Sequence, residues 1–133
     1  MKRKKLTASM IALVMSVSLP MTTYAANWYL EDGSVTVNAD NSGQTVTQGG
    51  GSAVPDEAPV ITQRESSVET GNTIAISTSD NAAANVTIKD INIKSSNDAI
   101  DVKGSSSANI TLEGDNKIFS ETGSALHLSL IHI

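Results

Sequence analysis

The sequence predicts an all-β protein, specifically an incomplete right-handed parallel β-helix whose coils take about 24–26 residues each. Two observations predict this fold. Short stretches alternate apolar and polar residues, which is the pattern of strands with one buried and one exposed face. These stretches also recur at a nearly constant spacing, whereas a sandwich gives strands about every 8–12 residues without a longer period. An antiparallel β-sandwich is the alternative.

The chain begins with the features of a secretory signal peptide. A basic segment, residues 2–5, precedes an apolar stretch, residues 6–19. Small side chains just before the predicted cut place cleavage between Ala25 and Ala26. The apolar stretch has about 14 residues, fewer than the roughly 20 that span a bilayer. We therefore expect residues 1–25 to be removed rather than to anchor the protein.

Residues 26–48 predict a hairpin. The β-branched segments 35–37 (VTV) and 45–47 (TVT) flank a DNSG sequence at 40–43, which is typical of a tight turn between two strands. We expect this hairpin to cap the first coil. Residues 49–57 (GGGSAVPDE) fit either a flexible linker or an insertion within a coil, and both alternatives stay open.

Residues 58–127 contain the repeat that predicts the coils. The segment ETGNTIAIS (69–77) reappears as ETGSALHLS (121–129) after 52 residues, with NDAIDV (97–102) halfway between them. Equivalent apolar residues are therefore 26 positions apart in two series: Ile74, Ile100 and Leu126, then Ile76, Val102 and Leu128.

A second set of segments shows a similar period. ANVTI (84–88) recurs as ANITL (108–112) after 24 residues, and APVIT (58–62) precedes the first of these by 26. Asn85 and Asn109 occupy equivalent positions in this series. We expect their side chains to stack as a polar ladder at the corners of successive coils.

The last six residues differ from the polar sequence before them. LSLIHI, at 128–133, resembles the in-frame translation of a transposase adapter used to prepare sequencing libraries. This resemblance predicts that residues 128–133 are non-native and that the native protein continues where the fragment stops.

The charge balance limits the classes of partner. All 14 acidic residues follow Ala25, whereas four of the nine basic residues lie in the signal segment, so the mature net charge is 5 − 14 = −9. Nucleic acid and anionic lipid need dense Lys and Arg. We therefore expect no nucleic-acid partner and no membrane insertion of the mature part. The chain has no cysteine, so it is not a disulfide scaffold.

Three segments, ANVTIKDINI (84–93), NDAIDV (97–102) and ANITLEGDNKI (108–118), carry a family resemblance. Together with the signal peptide, they resemble the secreted β-helix proteins of bacterial cell surfaces, which include carbohydrate-binding domain proteins and adhesin-like repeat proteins. The resemblance covers about residues 58–127. It implies extracellular display, contact with a polysaccharide or host glycan and, in some members, calcium bound in the turns.

Two groups of residues are candidate binding sites. Trp28 and Tyr29 are the aromatic side chains that could support a sugar ring, although they could instead cover the end of the first coil. Asp98, Asp101 and Asp115 are candidate calcium ligands, with a solvated acidic face that protects strand edges as the alternative. Asp98 and Asp101 have opposite strand parity, which argues against a single ion facing both.

The sequence lacks the patterns of an enzyme. We found neither a paired catalytic carboxylate motif nor a metal-spaced set of histidines, so we expect no catalytic residues and no cofactor besides a candidate calcium ion. The predicted function is a structural or adhesive role at the cell surface, with attachment through a missing C-terminal region. A carbohydrate-binding module is the alternative. A polysaccharide-degrading enzyme with its site in the missing part is a remote one.

Overall fold

The computed structural model describes residues 26–130 as an all-β structure. The predicted signal peptide and residues 131–133 lie outside the described residues. A single 3-10 turn, Leu30–Asp32, follows the first strand. The strands are β1 (Asn27–Tyr29), β2 (Val35–Asp40), β3 (Gly43–Gln48), β4 (Val54–Pro55), β5 (Val60–Thr62), β6 (Ile74–Thr78), β7 (Ala84–Lys89), β8 (Asn92–Ser95), β9 (Ile100–Gly104), β10 (Ala108–Glu113), β11 (Lys117–Ser120) and β12 (Leu126–Leu130).

The strands form three sheets. Sheet A has the order β12-β9-β6-β2-β3-β4, sheet B the order β10-β7-β5-β1, and sheet C pairs β11 with β8. From β7 onward the chain visits the sheets in a fixed order, B then C then A, and it does so twice. Each strand therefore lies beside the strand that precedes it by one repeat.

Strand pairing follows the predicted repeat in sheets A and B. Ile100 pairs with both Ile74 and Leu126 in parallel ladders, which confirms the offset of 26. Strands β7 and β10 pair in parallel from Ala84 opposite Ala108, which confirms the offset of 24. Within residues 26–130, the antiparallel ladders are those that β3 makes with β2 and β4. This pattern departs from an antiparallel sandwich.

The predicted register of β5 is wrong by one residue. The sequence comparison places Val60 opposite Val86, whereas the structure pairs Val60 with Thr87 and Ile61 with Ile88, an offset of 27. Ile61 and Ile88 are both fully buried. Because a one-residue slip turns every side chain of a strand to the other face, burying Ile61 against the core requires the longer offset.

The apolar core lies between the three sheets. The predicted inward residues of β6, β7, β8 and β9 are buried, which confirms their alternation. The last coil is more open, because no strand covers β10, β11 and β12 on their outer side. There the described chain exposes an apolar groove lined by Ile100, Ile110, Leu112, Ile118, Ala125 and Leu126.

The predicted hairpin is present. Strands β2 and β3 pair antiparallel from Val35 opposite Gln48 to Asp40 opposite Gly43, and β2 also pairs in parallel with β6. Residues 49–57 pack against this hairpin, since β4 pairs with β3 and Asp56 is buried. Residues 26–130 contain no helix with the length and apolar character that crossing a bilayer requires.

Candidate functional site

The corner that precedes β9 brings two aspartates to one surface. Ala99 and Ile100 are consecutive residues, yet both are buried, so the alternation of faces is interrupted there. Asp98 lies in the bend before the strand, and Asp101 lies on its outer face. The parity argument against a shared site does not apply, because Asp98 is not part of the strand.

His127 joins these two aspartates from the neighbouring coil. It lies on β12 directly opposite Asp101 in the parallel ladder. Its Nδ1 is 2.9 Å from Asp101 Oδ1 and 3.6 Å from Asp98 Oδ2. One potential ligand atom from each of the three residues lies within 4.8 Å of the others. We call Asp98, Asp101 and His127 the histidine–aspartate cluster.

Each carboxylate of the cluster has one oxygen held by another group. The Ser124 amide donates to Asp98 Oδ1 at 2.7 Å, and Lys103 Nζ lies 3.2 Å from Asp101 Oδ2. The other oxygen of each aspartate faces His127. A Cβ at Gly123 would lie 2.5 Å from Asp98 Oδ1, so only glycine permits this close approach.

The contacts within the cluster change the proton affinity of two of its members. The hydrogen bond with His127 lowers the pKa of Asp101, and Lys103 acts in the same direction. The hydrogen bond with Asp101 raises the pKa of His127, and the charge of Asp98 adds to this effect. The outer face of sheet A therefore favours a positive charge at the imidazole.

Asp115, the third predicted calcium ligand, lies elsewhere. It follows β10, where its amide donates to Asp90 Oδ1 at 2.9 Å. Its own carboxylate is highly exposed and lies 3.5 Å from Lys117 Nζ. The structure thus brings Asp98 and Asp101 together but does not bring Asp115 to them.

Trp28 is positioned by contacts within the protein. It pairs with Ile61 in sheet B and packs half-buried against the core. Its indole N–H donates to Oδ2 of the buried Asp56 at 2.8 Å. These contacts agree with the alternative in which Trp28 covers the end of the first coil.

Tyr29 faces the opposite side of β1, because successive residues of a strand point to opposite faces. The Arg64 guanidinium lies 4.1 Å from the centre of its ring, and Asp32 holds that guanidinium through two hydrogen bonds of 2.8 and 3.0 Å. Trp28 and Tyr29 therefore do not form one shared platform, and a glycan role for them stays a prediction.

Sequence reasoning did not assign His127 to the site, although the necessary signal was present. The repeat of 26 places His127 opposite Asp101, so projecting polar residues through the repeat would have joined them. Sequence reasoning also missed the buried side chain of Gln44. Its role depends on contacts with a strand about 40 residues away, for which the sequence has no local signal.

No family model, curated protein or solved structure matches this chain.

Proposed function

We propose that the chain is a right-handed parallel β-helix displayed outside the bacterial cell, where it has a structural or adhesive role and no catalytic one. The observation that carries this proposal is the parallel register of successive strands. The offsets are 26 residues between β6, β9 and β12, 24 between β7 and β10, and 25 between β8 and β11. Nearly equal offsets in three sheets are the geometry of coils stacked on one another.

Side-chain stacking supports the same arrangement. Asn109 Nδ2 donates to Asn85 Oδ1 at 2.9 Å, which confirms the predicted asparagine ladder, although both residues lie on an exposed strand face. The inward aliphatic residues of neighbouring strands are also in register. Such a stack buries its core only where each coil has a neighbour.

The two ends of the stack differ in a way that fits a solenoid. The hairpin of β2 and β3 packs near the first coil, and Val46 is fully buried beneath it. At the other end, the apolar groove is a surface that a further coil of the same repeat would bury. We therefore propose that this stack belongs to a longer solenoid, attached to the cell through a region beyond the fragment.

The surface supports a structural role in preference to a carbohydrate-binding one. Trp28 and Tyr29 are engaged by Asp56 and Arg64 respectively. The outer strand faces carry mostly small polar and acidic residues, which keep strand edges from pairing with other chains. A long, repetitive and acidic surface suits a stalk or an adhesive array.

Export and display are tested by expressing the whole chain in a bacterium and identifying the first residue of the extracellular product by mass spectrometry. We expect the product to begin at Ala26 and to be digested when protease is added to intact cells. Ala25→Arg is the control, because a large charged residue at the cleavage site blocks signal peptidase. An uncleaved product that is protected inside the cell would contradict the proposal.

The choice between the structural role and the carbohydrate-binding alternative requires a second measurement. The purified chain is incubated with insoluble polysaccharides, with and without a chelator, and the retained fraction is measured. The structural role predicts no retention on any of them. Retention that is lost in the Trp28→Ala or Tyr29→Ala variant would instead establish the carbohydrate-binding module.

A further inference from the structure

We propose that the histidine–aspartate cluster binds a divalent transition-metal ion of the Zn²⁺ type. The proposal rests on the identity and separation of the ligand atoms, and it does not depend on the surface role proposed above. A metal bound there would link β9 to β12, and so one coil to the next.

The separations of the ligand atoms fit a tetrahedral ion. Zn²⁺ bonds of about 2.0–2.2 Å place neighbouring ligand atoms about 3.3–3.6 Å apart. In the cluster, His127 Nδ1 lies 2.9 Å from Asp101 Oδ1 and 3.6 Å from Asp98 Oδ2. The two carboxylate oxygens are within 4.8 Å of each other. Small side-chain rotations would equalise these three distances.

The ligand types favour a transition metal over calcium. Calcium takes about six to eight oxygen ligands, whereas imidazole nitrogen suits Zn²⁺, Cu²⁺ and Ni²⁺. Two carboxylates and one imidazole leave a fourth tetrahedral position for water, since the cluster is partly exposed. Binding through Nδ1 would release the proton that His127 shares with Asp101 to the solvent.

The surrounding groups hold the aspartates in position for this ion. The Ser124 amide fixes Asp98 Oδ1, and Lys103 contacts Asp101 Oδ2. In each case the second oxygen is left facing His127. Outer contacts of this kind orient the ligands of metal sites, and their loss typically weakens metal binding by about 10–100-fold.

The test is a titration of tag-free chain with ZnCl₂ by isothermal calorimetry, in a His132→Gln background that removes the other histidine. We expect one Zn²⁺ per chain. Because losing a direct ligand costs at least as much as losing an outer contact, Asp98→Asn, Asp101→Asn and His127→Gln should each weaken binding by about 100-fold or more. Asp115→Asn has the same change of charge outside the cluster and should bind as tightly as the parent.

Two further readouts accompany the titration. Circular dichroism checks that each variant keeps its β structure, so that a lost site is distinguished from a lost fold. Co²⁺ replaces Zn²⁺ in a second titration, and an intense visible absorption band would indicate tetrahedral coordination. The proposal is overturned by an absence of Zn²⁺ binding, by equal affinity in all the variants, or by displacement of Zn²⁺ at an equal concentration of Ca²⁺.

Discussion

At the scale of single residues, Gln44 acts as a substitute for a strand. Strand β5 covers only the second half of β7, where Val60 and Ile61 pair with Thr87 and Ile88. In the first half, the Gln44 side chain accepts from the Asn85 amide at 2.8 Å and donates to the Asn85 carbonyl at 3.0 Å. One buried side-chain amide thus makes the two hydrogen bonds of a missing peptide group.

Replacing Gln44 with Ala tests this role. The substitution leaves the Asn85 amide and carbonyl without these partners, and each unsatisfied buried group costs about 1–3 kcal/mol. We expect the free energy of unfolding, measured by urea denaturation, to fall by about 2–4 kcal/mol. Thr45→Ala, at the next position of the same strand, is the control and should change it by less than about 1 kcal/mol. Equal losses in both variants would contradict the assignment.

A second residue-scale prediction concerns the titration of His127. Its folded pKa is raised above 6.5, mainly by the hydrogen bond to Asp101, so its contribution to stability is complete below 6.5 and is lost as pH rises through the raised value. The pKa of Asp101 is lowered from 3.8, so its contribution is complete above 3.8 and is lost as pH falls through the lowered value. The pair is therefore fully formed between these two reference values.

Nuclear magnetic resonance of the metal-free His132→Gln protein measures this titration directly. We expect a His127 pKa above 6.5 that moves back toward 6.5 in Asp101→Asn, because the main hydrogen bond to a carboxylate is removed. Asp115→Asn should leave the pKa of His127 where it is. A His127 pKa that does not respond to Asp101→Asn would show that the pair is absent in solution.

At the scale of elements, the turns depend on glycines whose position the structure explains. Gly104 ends β9 with φ +130°, and a Cβ there would lie 2.0 Å from the Thr78 carbonyl oxygen of the neighbouring coil. Only glycine can adopt this backbone conformation at such close approach without strain. The close approach also lets the Ser105 amide donate to that carbonyl at 3.1 Å.

Gly104→Ala should therefore destabilise the protein. Unfavourable dihedral angles alone cost about 1–3 kcal/mol, and the displaced backbone adds the loss of the hydrogen bond to Thr78. We expect a loss of at least about 2 kcal/mol in the free energy of unfolding by urea denaturation. Gly50→Ala is the matched control, since nothing lies within 4 Å of its Cβ position, and it should change stability by less than about 0.5 kcal/mol.

The elements also show how far the sequence predicts the structure. The alternation in β6, β7 and β9 and the repeat of 26 predicted the pairing of Ile74 with Ile100 correctly, because stacked coils impose the same apolar pattern on each strand. The register of β5 was not predictable from segment similarity alone. It depends on which face of a three-residue strand is buried, and the hairpin and residues 49–57 interrupt the repeat just before it.

The candidate site was predicted in part for a similar reason. Asp98 and Asp101 were identified from the sequence, but the corner at Ala99 and Ile100 reverses the parity rule that applies within strands. Asp115 was grouped with them because it is acidic and near a turn, a criterion that contains no information on distance. Three-dimensional proximity came from the ladder, which places His127 beside Asp101.

At the scale of the whole molecule, the account depends on coils that stack in parallel with a fixed register. In sheet B this register places Thr87 beside Thr111, two outward-facing residues that are 24 positions apart. Neighbouring strands are about 4.8 Å apart, which is within the Cα separation of about 4.4–6.8 Å that a disulfide bridges. The natural chain has no cysteine, so an introduced pair can be followed without interference.

The most direct test is oxidative cross-linking of the Thr87→Cys/Thr111→Cys variant at low protein concentration, with the intramolecular disulfide measured by mass spectrometry. Stacked coils predict rapid, near-complete closure. They also predict little closure in Thr87→Cys/Glu113→Cys, because a shift of two residues places the Cα atoms about 8 Å apart. Failure of the first pair to close, or equal closure of both pairs, would contradict the parallel register and with it the β-helix.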